Sequence, residues 1–234
     1  VKLAAKLKSH GVTQAWAGSF EGVLHRDMDA VNRRLAEVCR THGDGLFVPF
    51  GSVNPLLPDW REDVRRCHED YQMPGIRLHP NYHGYDLKAP EFAELLSLAE
   101  ERKLIVQLAL KMEDDRTHHP LVQVPDVETT PLLDLLPQHP ALRVVLINSL
   151  RTLAGDLLTR LTAHKNVFVE ISMKEGVGGI TNLLTQVPHT QILFGSHAPF
   201  FIFESAENKL LESELGETIW GAIARGNAER LVTS

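Results

Sequence analysis

The sequence has only two cysteines and no long apolar segment, and both absences exclude classes of protein. Cys39 and Cys67 have no partner at the spacing of a metal-binding or CxxC motif, which predicts packed thiols in a reducing, cytoplasmic compartment. No apolar run approaches the roughly 20 residues that a membrane-spanning helix needs. A disulfide-stabilised scaffold and a membrane partner are therefore not expected.

Positive charge is also scarce, because 24 Lys and Arg residues stand against 30 Asp and Glu residues and the signs are interspersed. Without a basic stripe to neutralise phosphates, nucleic acid is not an expected partner, and neither is an anionic membrane surface. The glycine-rich motifs GxGxxG and GxxxxGK[ST] do not occur, which argues against an open nucleotide-binding sheet. A small molecule is the expected partner, and homo-oligomer formation stays open.

What the sequence does contain is a regular alternation of apolar segments with amphipathic helical segments. The predicted strands cover residues 12–18, 46–53, 75–80, 104–110, 142–148, 167–172 and 192–201. The predicted helices cover residues 1–10, 27–41, 58–71, 89–103, 130–136, 153–164, 177–187, 203–215 and 217–231. Such alternation requires parallel strands joined by right-handed crossovers.

The count of strands selects the architecture. Seven strands follow an initial helix, so we expect one further strand upstream of Val1, and eight parallel strands close a (β/α)₈ barrel. The sequence therefore predicts an α/β TIM barrel that forms a single domain over residues 1–234, with its first strand missing from the chain as given. An open doubly wound sheet is the alternative.

Polar side chains stand near the ends of the predicted strands. In a barrel these ends converge on one mouth, where active sites form. The residues concerned are Arg77, His79, Gln107, Asn148, Glu170, Ser172, Ser196 and His197. An unpaired buried polar group costs about 1–3 kcal/mol, so the cluster requires mutual hydrogen bonds, a metal or a polar ligand. The polar loop of residues 111–120 adds Asp115 and Arg116.

Several of these segments resemble the amidohydrolase superfamily, in particular its group 2 branch of metal-dependent hydrolases and decarboxylases. The segments are GIRLHPNYHGYDL, LRVVLINSL, VFVEIS and ILFGSHAPF, followed by the tail ARGNAERL. The resemblance covers nearly the whole chain from Gly75 onward and, more weakly, the part before it. It implies a distorted TIM barrel with a mononuclear site for zinc or another divalent metal at the mouth.

The chain departs from the pattern of that family at the positions that can be compared. The family has an HxH pair on the first strand, which is absent here. Gln107 and Asn148 stand where the resemblance implies histidine ligands, and His197 stands where it implies a catalytic aspartate. Amides are poor zinc ligands, and losing the aspartate removes a base for a metal-bound water. The metal ligands are therefore left unassigned, although each replacement can still hydrogen-bond a polar ligand.

The site hypothesis assigns a role to each of these residues. His197 and His79 are the predicted catalytic residues, with His197 as the acid/base group and His79 positioning the substrate. The predicted substrate-binding residues are Arg77, Gln107, Asn148, Glu170, Asp115 and Arg116. Structural alternatives stay open: a strand-capping His197, a His79-Pro80 turn, a Glu170–Arg77 ion pair, an interior hydrogen-bond network, or a solvated loop.

Three functions are carried forward. The first is an amidohydrolase-like hydrolase that acts on a small polar or carboxylated molecule, with or without the usual metal. The second is a catalytically inactive barrel that binds a small polar ligand, and the third is a related decarboxylase, a carbon-carbon lyase. A different set of metal ligands, made of His79, His197 and Glu170, is a further possibility.

Overall fold

The computed structural model describes residues 2–114, 116 and 118–233 of the chain. The chain divides into two compact units, of which the first ends at Gln107 and the second begins at Leu108. Both units consist of parallel strands that alternate with helices, as the sequence pattern predicts. The predicted position Asp115 lies outside the described residues.

The first unit contains two short parallel strand pairings. Its strands are β1 (Ala15–Ala17), β2 (Phe47–Pro49), β3 (Gly51–Ser52), β4 (Gly75–Leu78) and the beginning of β5 (Ile105–Ala109). Strand β1 pairs with β2 and β3 pairs with β4, in both cases in parallel. The amide of Ile105 donates to the carbonyl of Pro74 at 2.9 Å, which joins the start of β5 to the start of β4.

The prediction of one continuous strand over residues 46–53 is wrong. The segment forms two strands because it changes pairing partner at Phe50, whose amide donates to the carbonyl of Ala17 at 2.8 Å. Pro49, which ends the first of the two strands, has no amide hydrogen for a ladder. The chain then pairs with β4 from Gly51 onward.

The helices of the first unit follow the predicted segments, with one addition. They are α1 (Lys2–Ser9), α2 (Met28–His42), α3 (Trp60–Glu69), α4 (Pro80–His83) and α5 (Pro90–Glu101). The sequence analysis did not predict α4, which has proline in its first turn and ends at Gly84 with φ of 74°. Proline at the start and a left-handed glycine after the end are typical helix boundaries.

The second unit contains the end of β5 and three further strands. These are β6 (Arg143–Ile147), β7 (Val167–Glu170) and β8 (Ile192–Leu193). Strand β7 pairs in parallel with both β6 and β8. The amide of Leu110 donates to the carbonyl of Ile147 at 3.1 Å, so the chain after β5 runs beside the end of β6.

The segment of residues 192–201 is a strand for only two residues, so its predicted length is corrected. After Leu193 the chain leaves the ladder, because the amide of Phe194 donates to the carbonyl of Ile223 at 2.9 Å. The tail segment ARGNAERL contributes a second anchor for this region. The fully buried Asn227 donates from Nδ2 to the carbonyls of His189 and Ile192, each at 2.7 Å.

Most helices of the second unit are shorter than predicted, whereas helical structure at the end of the chain covers the predicted segment 217–231 and continues to Thr233. The helices of this unit are α6 (Leu132–Leu135), α7 (Gly155–Thr162), α8 (Gly179–Leu183), α9 (Phe203–Leu211), α10 (Glu217–Gly221) and α11 (Asn227–Thr233). The predicted helix 177–187 begins only after Gly178, whose φ of 64° is left-handed. The predicted helix 217–231 is interrupted by the π-helical turn Ala222–Gly226.

Each unit buries its own apolar residues. Phe50, Trp60 and Phe92 are almost fully buried in the first unit, and Leu146 and Val169 in the second. Cys39 and Cys67 are free and buried, which confirms their prediction as packed thiols. Within the described part of the chain, no helix combines the length and the apolar character that crossing a membrane requires.

Candidate functional site

Two of the predicted site residues follow strands of the second unit in the left-handed backbone conformation. Asn148 comes directly after β6 and has φ of 54°, and His197 lies four residues after β8 with φ of 49°. Few residues other than glycine adopt this conformation, and asparagine and histidine are among those enriched in it. Such positions cluster at functional sites. Among the residues that the sequence analysis selected and the structure describes, Asn148 and His197 have this left-handed backbone.

The Asn148 side chain is a buried junction with three hydrogen-bonding neighbours. Its Nδ2 donates to the carbonyl of Lys111 at 2.7 Å and lies 3.3 Å from Nδ1 of His197. Its Oδ1 lies 3.0 Å from the Ser172 hydroxyl, which donates to it. Only 2 % of Asn148 is exposed, so the amide bonds protein groups and not bulk water.

His197 is hydrogen-bonded through both ring nitrogens. Besides the contact of Nδ1 with Asn148, its Nε2 lies 2.8 Å from the carbonyl of Met112. The ring of Phe200 stacks on the imidazole at a centroid distance of 5.4 Å, and Phe201 approaches edge-on at 5.0 Å. Phe200 itself is 56 % exposed, so one face of this arrangement reaches solvent.

Glu170, the last residue of β7, is a buried carboxyl group held by backbone and hydroxyl donors. It accepts from the amides of Asn148 and Ser172, and the Ser172 hydroxyl lies 2.8 Å from Oε1. The pKa of Glu170 is raised overall, because the effect of burial exceeds the opposite effect of these donors and of the more distant Lys209. The Lys209 ammonium donates to the carbonyl of Ser172 at 2.6 Å.

Gly195 explains why the segment ILFGSHAPF contains a glycine. A Cβ atom on Gly195 would lie 1.8 Å from Oε2 of Glu170. The glycine thus makes room for the carboxyl group, because it has no Cβ atom. We call Asn148, Glu170, Ser172 and His197 together the Asn148 cluster.

The first unit holds a second polar arrangement, which we call the Arg77 pair. Arg77 donates from Nε to Oε1 of the buried Gln107 at 2.7 Å. Its guanidinium lies against Gly18, where a Cβ atom would approach Nη1 to 2.6 Å. A planar guanidinium fixed by an amide is a suitable donor for a carboxylate.

His79 follows β4 and precedes α4, and only 1 % of it is exposed. Its ring meets the ring of His83 edge to face at 5.7 Å. His83 in turn contacts the carbonyl of Gly22 through Nε2 at 2.8 Å, and burial lowers the pKa of His83. These contacts place His79 in a buried aromatic group, and its catalytic role stays a prediction.

The loop that the sequence analysis assigned to substrate binding is a surface ion-pair group in its described part. Arg116 is 82 % exposed at its side chain and pairs with Asp114 at 2.6 Å. Arg151, which the sequence analysis did not select, pairs with the same carboxylate at 2.7 Å. The hydrogen bonds from Arg116 and Arg151 hold the pKa of Asp114 well below its usual range.

The structure thus groups the predicted residues within each unit. It brings Asn148, Glu170 and His197 together in the second unit, and Arg77 and Gln107 together in the first. Sequence reasoning missed the backbone carbonyls of Lys111 and Met112 and the ammonium of Lys209. No local signal marks a helical lysine or a main-chain carbonyl as part of a site.

Comparison with known proteins identifies the family. The model of the amidohydrolase family matches residues 3–233, nearly the whole chain, and the protein therefore belongs to the amidohydrolase family. The resemblance seen in the sequence is confirmed. A search of curated protein sequences found no match.

Solved structures with a similar fold include three decarboxylases. The 2,6-dihydroxybenzoate decarboxylase from Rhizobium is 17 % identical, with a TM-score of 0.77 over 100 % of this chain and 87 % of its own. The 5-carboxyvanillate decarboxylase from Sphingomonas paucimobilis is 14 % identical, with a TM-score of 0.78 over 100 % and 82 %. A dihydroxybenzoic acid decarboxylase from Polaromonas sp. JS666, with bound manganese and the inhibitor 2-nitroresorcinol, is 13 % identical, with a TM-score of 0.75 over 99 % and 85 %.

At such low identity the likeness shows the fold alone, and that fold is the TIM barrel of amidohydrolases. The predicted fold class is confirmed.

The family and the manganese in one of these structures raise the question of whether the present residues fit a metal. In the part of the chain that the structure describes, no group of three or more His, Cys, Asp or Glu side chains could hold one. The Asn148 amide directs its NH₂ group, which cannot coordinate a cation, toward Lys111 and His197. Both nitrogens of His197 are already hydrogen-bonded. The donor set of the Asn148 cluster does not fit the metal centre that the family implies.

Proposed function

We propose that this protein binds a small carboxylated molecule in an amidohydrolase barrel without using a metal ion. The observation that carries the proposal is the hydrogen-bond closure of the Asn148 cluster. Asn148 and His197, which stand at a ligand position and at the catalytic aspartate position of the resemblance, bond each other and the carbonyls of Lys111 and Met112. A polar site satisfied in this way can persist without a cation.

The substrate class rests on the Arg77 pair and on the family. Gln107 holds the guanidinium of Arg77 through Nε, and a guanidinium is the side-chain cation whose geometry matches a carboxylate. The decarboxylases with a similar fold act on dihydroxybenzoate and carboxyvanillate, both of which are aromatic carboxylates by name. Their fold-level likeness favours a carboxylated ligand over an uncharged one.

Hydrolysis is the activity that these residues support least. A hydrolase must activate a water molecule, and the aspartate that would do so is replaced by His197. The prediction that the protein is a hydrolase therefore stays a prediction.

Decarboxylation is the second candidate function, and the decarboxylases with a similar fold favour it. In that reaction the carbon-carbon bond breaks and the carboxylate leaves as CO₂. The bonding electron pair stays on carbon and takes up a proton from an acid, the role that the sequence analysis gave to His197. Detection of CO₂ release from a panel of hydroxybenzoates would support this candidate over simple binding.

Thermal shift measurements with small carboxylates test the binding proposal. We expect hydroxybenzoates and aliphatic dicarboxylates to raise the midpoint of thermal unfolding in the presence of a chelator, because ligands that bind only the folded state stabilise it. Replacing Arg77 by Gln should weaken binding by about tenfold or more, the effect of losing a charge-assisted hydrogen bond. Arg160→Gln is the matched control, because Arg160 is a surface residue of α7 paired with Asp156.

Two results would contradict the proposal. One is an absence of any shift with the whole panel, and the other is a shift of equal size in wild type and Arg77→Gln.

A further inference from the structure

The contacts around His197 determine which of its nitrogens carries a proton. The amide orientation of Asn148 is fixed by an acceptor on one side. Nδ2 lies 2.7 Å from the carbonyl of Lys111, and a carbonyl only accepts, so this atom is the NH₂ group and not the oxygen. The Ser172 hydroxyl, which lies 3.0 Å from Oδ1 of Asn148, donates to that oxygen and so agrees with this orientation.

The same amide then decides the state of Nδ1 in His197. Nδ2 of Asn148 has only hydrogens to offer, and it lies 3.3 Å from Nδ1. A proton on Nδ1 would face these hydrogens, so Nδ1 must present its lone pair.

The opposite nitrogen is decided by the backbone. Nε2 lies 2.8 Å from the carbonyl of Met112, which can only accept. Nε2 therefore carries the proton. Both contacts select the same neutral tautomer and exclude the other one. The contact at Nδ1 also excludes the imidazolium, in which both ring nitrogens carry a proton.

From this geometry we propose that Asn148 and the Met112 carbonyl lock His197 as the neutral Nε2–H tautomer, which makes His197 a positioning residue. Together with Asn148, it fixes two successive carbonyls, those of Lys111 and Met112, in the segment that leaves β5. In this state its Nδ1 lone pair and its Nε2 proton are both in use. His197 can then act neither as a metal ligand nor as a base. This positioning role differs from the acid/base role that the sequence analysis predicted.

The position of the ring supports the same role. Phe200 stacks on it at 5.4 Å and Phe201 meets it edge-on at 5.0 Å, so two aromatic rings hold the imidazole in its orientation. The tautomer of His197 follows from contacts within the chain and does not depend on the carboxylate ligand proposed above.

Nitrogen-15 NMR of the full chain tests the tautomer directly. The ring signals of His197 are assigned by their loss in His197→Gln among the 12 histidines of the sequence. At neutral pH we expect a protonated Nε2 and an unprotonated Nδ1, with no averaging between tautomers. A proton on Nδ1, or equal population of both tautomers, would overturn the inference.

A pair of variants at His197 separates positioning from acid/base chemistry. The amide of Gln can donate from a place close to that of Nε2, so His197→Gln should keep the wild-type thermal midpoint, while His197→Phe should lose stability. A CO₂-releasing or hydrolytic activity that His197→Gln abolishes without loss of stability or binding would contradict the positioning role. Asn148→Asp should shift the proton toward Nδ1, and an unchanged tautomer in that variant would also count against the lock.

Discussion

At the scale of single residues, Gly195 and Glu170 form the tightest constraint of the Asn148 cluster. The carboxyl group occupies the space that a side chain at Gly195 would need and cannot easily move, because the amides of Asn148 and Ser172 donate to it. The glycine and the glutamate lie 25 positions apart, on either side of α8, so the pairing depends on the register of β7 with β8.

Gly195→Ala should lower the free energy of unfolding by about 1–3 kcal/mol, the usual cost of forcing extra volume into a packed interior. Chemical denaturation measures this. Gly221→Ala is the control, because a Cβ atom there meets nothing within 4 Å and the glycine has a helical φ of −62°. Alanine at that site should be neutral or slightly stabilising. Equal destabilisation by both changes would contradict the role assigned to Gly195.

Glu170 should make stability depend on pH. Its pKa in the folded protein is raised by burial above the value of about 4.3 in an unfolded chain. The folded state then holds a proton that the unfolded state has lost. The stabilisation is complete below the unfolded value and disappears as the pH rises through the folded value.

Unfolding free energies of wild type and Glu170→Gln, measured between pH 4 and pH 9, test this expectation. As the pH rises, the unfolding free energy of wild type should fall relative to that of Glu170→Gln. A difference that is flat over the whole range would show that burial does not raise the pKa of Glu170.

At the scale of helices and strands, the caps of α2 and α3 give a matched comparison. Asp27 accepts from the amide of Ala30 at 2.9 Å and so caps α2. Asp59 precedes α3 in the equivalent position but makes no side-chain capping bond. Asp27→Ala should cost about 1 kcal/mol of stability, as measured by urea denaturation, whereas Asp59→Ala should change little. A larger loss from Asp59→Ala would contradict the capping assignment.

Elements with a strong local signal could be predicted from the sequence, and those set by distant partners could not. The amphipathic α2 and the apolar β5 follow from periodicity alone. The division of residues 46–53 at Phe50 depends on Ala17, a partner some thirty positions away. The early end of β8 depends on Ile223 in the same way.

The candidate site shows the same division. Asn148, Glu170 and His197 could be selected because polar residues interrupt apolar strand segments, and the structure brings them together. The hydrogen-bond partners of these side chains could not be selected, because Lys111 and Met112 contribute backbone carbonyls, and every residue type has one. The roles of His79 and Arg116 stay predictions.

At the scale of the whole molecule, the fold is shared with solved decarboxylases at low sequence identity. The solved decarboxylases share 13–17 % of residues with this chain and still align with TM-scores of 0.75–0.78. The alternation of buried strands and amphipathic helices tolerates extensive change of sequence, whereas a metal centre needs particular side chains at particular strand ends. Polar residues such as Gln107, Asn148 and His197 can therefore stand at strand ends, as we propose for the metal-free site, while the barrel architecture stays the same.

The central claim is that the Asn148 cluster is held together by hydrogen bonds and not by a metal. Elemental analysis of the full chain, expressed with added manganese and zinc and purified without chelator, tests it most directly. We predict well under one equivalent of any transition metal per chain, in wild type and in His197→Gln alike. One equivalent of manganese or zinc in wild type that disappears in His197→Gln would contradict the account.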